Sequence, residues 1–190
     1  DVILKPDFNS MRVVPWYEDP TAQVICDTVN LNGDEVINSS RNALKNIIKL
    51  YKKENLVPIV SPELEFYLVK PNPDSDYPLE VPVGQSGRQE TGKQALGIDA
   101  VNEFDNLFED LYNYCESQQI EIDTINHESG SAQMEINFQH GDPLELADQV
   151  FLFKRTLRQS ALKHKLYATF MAKPMEHQPG SAMHIHQSVY

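Results

Sequence analysis

The most restrictive stretch of the 190-residue sequence is Ser61-Pro62-Glu63-Leu64-Glu65-Phe66-Tyr67-Leu68. Its apolar and polar residues alternate with period two, the signature of a strand buried on one side only. Leu64, Phe66 and Leu68 then face a core, while Glu63, Glu65 and Tyr67 share the opposite face. Two carboxylates on one strand face lie roughly 7 Å apart and repel. Such a face is either left in water or supplied with cations, and this segment alone leaves both readings open.

Two further segments repeat the pattern. In Asn126-His127-Glu128-Ser129-Gly130-Ser131-Ala132-Gln133-Met134-Glu135-Ile136-Asn137-Phe138, the last strand buries Met134, Ile136 and Phe138 and turns Gln133, Glu135 and Asn137 outward. Glu128 precedes Glu135 by an odd spacing, which on one straight strand means opposite faces. A turn at Ser129-Gly130-Ser131 can fold both carboxylates onto a common face, though an ordinary hairpin with polar residues in water is the plainer alternative. In Gly180-Ser181-Ala182-Met183-His184-Ile185-His186-Gln187-Ser188, a strand puts His184, His186 and Ser188 on one face. The HxH spacing lets two imidazoles reach one point, but alone it is a weak motif that surface histidines also satisfy.

Taken jointly, three strands each carry a clean apolar face and an opposite face of ligand-type groups. If they share a sheet, Glu63, Glu65, Glu128 and Glu135 meet at least one imidazole, with a formal charge of about −4 that two divalent cations would neutralise. Oxygen-dominated ligation favours Mg²⁺ or Mn²⁺ over Zn²⁺, and paired ions of this kind clamp phosphate oxygens in phosphoryl transfer. The sequence has no GxxxxGK[ST] loop, which excludes a P-loop enzyme.

The remaining chain reads as an α+β domain, a largely antiparallel sheet with helices on one face. Asp1 to Asn32 alternates short apolar runs with turn residues, as in small strands joined by tight loops. A helix begins near Ser39 or Ser40, with Leu44, Ile47, Ile48 and Tyr51 at helical spacing and Lys52 and Lys53 in its last turn. A second is predicted over Asp99–Gln118, with the stripe Val101, Phe104, Leu107, Phe108, Leu111, Tyr112 and Cys115. A third starts at the Asp142 cap with Pro143 at its first position, and its stripe runs through Ala147, Val150, Phe151, Lys154, Leu157 and Leu162. Pro71 to Gly92 is a long loop, a length that usually signals function or mobility. Tyr167–Met171 and Ala182–Tyr190 read as a last strand pair. The 16 Lys+Arg against 28 Asp+Glu, a net charge of −12 and no basic cluster argue against nucleic-acid binding through phosphate neutralisation. No apolar run approaches the roughly 20 residues of a membrane span. Cys26 and Cys115 are too few for a disulfide framework, so a reducing cytoplasm is expected.

These residues resemble the glutamine synthetase family across almost the whole chain. The resemblance rests on DxxLxPD at Asp1 to Asp7, PExEF at Pro62 to Phe66, the His127-Glu128 pair followed by Gln133-x-Glu135, TFMxKP at Thr169 to Pro174, and GSxMHxHxS at Gly180 to Ser188. In texture it is most similar to the γ-glutamylpolyamine (γ-glutamylputrescine) synthetase branch, through Ile98 to Asp105 and Gln133 to Phe138. It implies the catalytic-domain fold over 36–190, preceded over 1–35 by part of a small β-grasp-like N-terminal domain. It also implies a ligase that uses ATP to activate the γ-carboxylate of glutamate as a γ-glutamyl phosphate, which ammonia or an amine then attacks.

By motif, Glu65, Glu128 and Glu135 resemble the ligands of one Mg²⁺ or Mn²⁺, and Glu63 and His184 those of a second. Glu128 also resembles the base beside the attacking nitrogen. Gly180 resembles a glycine of the glutamate-binding loop, while His186, Ser188 and Asp123 resemble nucleotide contacts. Two departures favour an amine larger than ammonia: Pro179 stands where the family often has Asn, and Ala95 or Leu96 where it often has Tyr. The family's phosphate-binding arginines and a further metal-binding Glu are expected after the HxH strand, and an aspartate loop before Asp1. The chain is therefore expected to be truncated at both ends, inactive alone, and part of a ring-forming cytoplasmic homo-oligomer. The alternatives are an ordinary glutamine synthetase using ammonia and a non-catalytic protein of the same fold.

Overall fold

The computed structural model describes residues 1–190. Its elements are strands β1 (Val2–Pro6), β2 (Arg12–Val13), β3 (Ala22–Gln23) and β4 (Cys26–Asn30), helix α1 (Ser40–Lys53), strand β5 (Pro58–Val69), helices α2 (Ile98–Asn102) and α3 (Asp105–Ser117), strands β6 (Ile122–His127) and β7 (Gln133–Phe138), helix α4 (Pro143–Lys163), and strands β8 (Tyr167–Thr169) and β9 (Met183–Val189). The alternating segment lies in β5, the central strand of a five-stranded antiparallel sheet. On one side β5 pairs with β7, and β7 with β6.

The two last strands do not pair with each other, contrary to the sequence expectation. Both pair with β5 along its other side, β8 through Tyr67↔Thr169 and β9 through Glu63↔His184. The 12 residues of β5 are long enough to hold the two end to end.

Leu64, Phe66 and Leu68 of β5 join Met134, Ile136 and Phe138 of β7 in a core covered by α3 and α4. Phe138 meets Phe153 of α4 edge-on, with ring centroids 5.2 Å apart, a contact worth roughly 0.5–1.5 kcal/mol beyond its buried area. All the helices that build this core lie on the apolar side, as the α+β reading requires. Asp142 caps α4 by accepting hydrogen bonds from the Leu144 and Glu145 amides, and Pro143 opens the helix.

Three helical expectations need correction. The predicted helix over Asp99–Gln118 is two helices broken at Glu103-Phe104. The preceding loop takes the carbonyls there: the Gln85 amide donates to Glu103 O and the Gln85 side chain to Asn102 O. On α4 the buried stripe is Leu146, Val150, Phe153, Leu157 and Ala161, whereas Phe151 is 69% exposed. On α1 Ile47 is exposed and the one buried side chain is Asn42, whose amide donates to the carbonyls of Thr28 and Val36.

Residues 1–35 form two short ribbons, β1 with β4 and β2 with β3. They are tied to the helices through Arg41, which donates to Asp7, Asp27 and Asp148 at 2.6–2.8 Å, with Lys45 also paired to Asp27. No helix is long and apolar enough to cross a membrane.

Candidate metal centre

The strand registers decide which carboxylates meet. In an antiparallel pair, directly opposed residues point to the same face. Glu65 opposes Glu135, Glu63 opposes Asn137, and on the other side Glu63 opposes His184. The hairpin between β6 and β7 turns at Ser129-Gly130, and the Glu128 amide donates to Gln133 O, so Glu128 lies across from Gln133 on this same face. The odd spacing of Glu128 and Glu135 is thus resolved by the turn, and all four carboxylates share one surface.

Glu63, Glu135 and His184 present ligand atoms within 4.8 Å of one another. The resemblance assigns Glu135 to one ion and Glu63 with His184 to another; the structure gathers these three. His186 joins them, its Nε2 2.7 Å from Glu63 Oε1, and His184 Nδ1 lies 3.5 Å from Glu63 Oε2. The partners of Glu63 are these two imidazoles, and no Lys or Arg pairs with any of the four carboxylates. Burial raises the Glu135 carboxyl above its ordinary value, and the charges of Glu63, Glu128 and Glu65 push in the same direction, while a hydrogen bond from Asn137 opposes them. A half-buried face of like charges with an imidazole at its edge fits a hard divalent cation, Mg²⁺ or Mn²⁺.

Glu65 is held differently. Its Oε2 accepts from Gln133 Nε2 at 2.9 Å and from the Ala182 amide at 3.1 Å. Glu128 Oε2 accepts from the Ser129 amide. Gly180 precedes β9, and its carbonyl accepts from Gln133 Nε2 at 3.0 Å. Ser188 lies in β9 opposite Ile59, two residues beyond His186 on the same strand face. Asp123 is not brought to this cluster. It occupies the β6 bulge between Ile122 and Thr124, exposed, and its charge is felt by Tyr112 of α3 on the helix-covered side.

The sequence marked Gln133 only within a motif and Pro179 only as a departure, and gave no sign that these, Tyr67 and Glu90 hold this face in place. Tyr67 alternates with the glutamates yet is fully buried, its hydroxyl 2.7 Å from Pro179 O and 3.1 Å from Gln133 Oε1. Burial, with the charges of Glu65 and Glu128, pushes its phenol up to about 12, so it stays a donor. Pro179, a departure from the family pattern, contributes the carbonyl that Tyr67 binds. Buried His127 stands 3.0 Å from Glu90 of the long loop, and Glu90 also accepts from the Ala132 amide. Leu96, in the left-handed region at φ 62, donates its amide to His127 O, which brings the second departure beside the Glu128 hairpin. A polar residue at a strand position flanked by ligands was the available signal for Gln133; nothing local marks Glu90.

Residues 38–190 match a family model described as glutamine synthetase, catalytic domain. The glutamine synthetase of Methanocaldococcus jannaschii is 33% identical over 100% of this chain and 41% of its own length. Gamma-glutamylputrescine synthetase PuuA of Escherichia coli is 34% identical over 97% of this chain and 41% of its own length. A glutamate–isopropylamine ligase from a Pseudomonas species is 31% identical over 100% and 40%. The chain therefore spans about two fifths of the length of these curated relatives. A solved GmaS/ADP complex superposes with a TM-score of 0.83 at 25% identity, over 100% of this chain and 42% of that one. A cryo-EM structure of Plasmodium falciparum glutamine synthetase superposes at 0.85 with 19% identity over 100% and 41%, a likeness of fold. The catalytic-domain match takes in every strand of the carboxylate face and the hairpin that folds Glu128 toward it, and the chain belongs to the glutamine synthetase family.

Proposed function

We propose that the protein carrying this chain is an ATP-dependent ligase that joins the γ-carboxylate of glutamate to an amine. The observation that carries this reading is the convergence of Glu63, Glu135 and His184 on a face shared with Glu65 and Glu128. A γ-carboxylate oxygen of glutamate attacks the terminal phosphorus of ATP and ADP leaves. The amine nitrogen then attacks the acyl carbon, phosphate leaves, and Glu128 takes the proton from the nitrogen. Glu65, Glu128 and Glu135, and Glu63 with His184, would hold two or more Mg²⁺ or Mn²⁺ ions, whose contribution when bound is to neutralise phosphate oxygens. Gly180 borders the glutamate subsite, and His186 and Ser188 border the nucleotide.

The acceptor we favour is an amine or polyamine larger than ammonia. Pro179 stands where the family often has Asn, and Ala95 or Leu96 where it often has Tyr, and two relatives are named for putrescine and isopropylamine. Ammonia is the second reading, supported by the 33% identity to an enzyme named glutamine synthetase. We assign residues 1–35 to the end of an N-terminal β-rich domain, and a ring-forming homo-oligomer in the cytoplasm to the whole protein. Glutamate-dependent ADP release by the full-length protein, measured with ammonia, putrescine and monoamines, tests the reading. Stimulation is expected to be strongest with an organic amine; ammonia as preferred acceptor selects the second reading, and no stimulation by any acceptor removes the ligase.

A further inference from the structure

We propose that Gln133 is the positioning residue that fixes Glu65 and the Gly180 segment relative to each other. Its side chain is buried, 1% exposed, so it does not meet a ligand itself. Its amide has one orientation compatible with its neighbours. Glu65 Oε2 and Gly180 O can only accept, so they face Nε2, at 2.9 and 3.0 Å. The Gly130 amide can only donate, so it faces Oε1, at 2.9 Å. Both protons of the amide nitrogen are used, and its oxygen is engaged by Gly130 and lies 3.1 Å from the Tyr67 hydroxyl.

One side chain thus joins three segments distant in sequence: the hairpin turn at Gly130, strand β5 at Glu65, and the approach to β9 at Gly180. Glu65 Oε2 also accepts from the Ala182 amide, so the carboxylate is clamped between Gln133 and the segment that Gln133 itself holds. That segment has little slack, since a Cβ added at Gly180 would lie 2.8 Å from Ala172 O, to which the Ser181 amide donates. Buried amides whose donors and acceptors are all matched specify one arrangement of their neighbours. The role in metal binding rests on the reading of Glu65 as a ligand; the role in placing Ala182 does not.

The test uses Gln133→Met in the full-length protein, with Leu157→Ala, in the core away from this face, as a control for general loss of stability. Two quantities are measured: hydrogen exchange at the Ala182 amide without metal, and Mn²⁺ affinity by the resonance of the free ion. Gln133→Met never touches Ala182, so faster exchange there reports a displaced Glu65. At least a roughly ten-fold loss of protection is expected at Ala182, with Mn²⁺ binding weakened by about ten-fold or more, and neither in Leu157→Ala. If Gln133→Met does not fold, Gln133→Glu keeps an oxygen for the Gly130 amide and turns the other against Glu65 and Gly180, and the same loss at Ala182 is expected. Wild-type protection at Ala182 in the variant that folds, or an equal loss in Leu157→Ala, overturns the proposal. A wild-type protein that binds no Mn²⁺ defeats the metal reading, while the Ala182 exchange still decides the positioning role.

Discussion

Gly130 shows how a single atom position depends on strands far away in sequence. A Cβ there would stand 2.0 Å from the Tyr67 hydroxyl oxygen and 2.7 Å from Gln133 Oε1. The Tyr67 ring is rigid and fully buried, so it cannot swing aside. Gly130→Ala is expected to destabilise by roughly 1–3 kcal/mol, the usual range for overpacking. Tyr67→Phe removes the closest clashing atom and should recover part of that loss. Urea denaturation of both single variants and the double variant checks it; strictly additive effects would refute the clash. The turn itself was legible, because Gly between two serines separates two alternating runs. The reason for glycine was not, since it lies 63 residues upstream in a tyrosine that the alternation placed on a polar face and the fold then covered.

Arg41 does for elements what Gln133 does for side chains. From α1 it reaches Asp7 beside the first ribbon, Asp27 in β4 and Asp148 in α4. These three aspartates are scattered through the sequence, and although Asp7 closes the DxxLxPD segment, Asp27 and Asp148 belong to no motif, so the hub could not be read from it. The breaking of the predicted Asp99–Gln118 helix has the same origin, because the competing donors sit in a loop about seventeen residues upstream. Elements whose signals are local, such as the Asp142-Pro143 start of α4 and the β6–β7 hairpin, were legible. Removing the guanidinium in Arg41→Met leaves three aspartates crowded together and should cost on the order of 3 kcal/mol, as for one partner lost from a buried pair. Its hydrogen bond holds Asp7 below the ordinary carboxylate value of 3.8; Asp27, which burial alone would raise, is brought below 3.8 by Lys45 and Arg41. Stability from both is therefore present above pH 3.8 and is lost as pH falls through the depressed values. Arg41→Met should have a shallower acid limb, with Lys45 preserving part of the Asp27 share, and thermal melts as a function of pH measure it. An unchanged acid limb would exclude Arg41 as its source.

The whole molecule carries a net charge of −12, and the sheet concentrates part of it on one face. Period-two alternation made that face legible strand by strand, and family motifs suggested the strands belong together. Which ligands would converge depended on β9 pairing with β5 rather than β8, a choice that no local pattern records. If this face is the cation site proposed above, the carboxylates weaken the metal-free chain, and that is testable at Glu135. Glu135 has the opposite sign to the aspartates around Arg41. Burial and its acidic neighbours raise its folded value above 4.5, so the metal-free fold binds that proton more tightly than the unfolded chain does. Its contribution is most favourable below pH 4.5 and declines as pH rises through 4.5 to the raised value, leaving a net cost at neutrality. Glu135→Gln removes that cost. At pH 7 in EDTA the variant should be more stable than wild type by roughly 0.2–1 kcal/mol, the scale of a single cross-strand side-chain pair, since like charges directly opposed destabilise and Glu65 and Glu135 are so opposed. Adding Mn²⁺ should reverse the order, because wild type gains about 2.7 kcal/mol at a concentration a hundred times its Kd and the variant, lacking one of the converging ligands, gains far less. Thermal melts of both proteins with EDTA and with Mn²⁺ decide it. A Glu135→Gln variant that is less stable in EDTA, or that gains as much from Mn²⁺ as wild type does, would show that the acidic face is a solvated surface rather than a cation site.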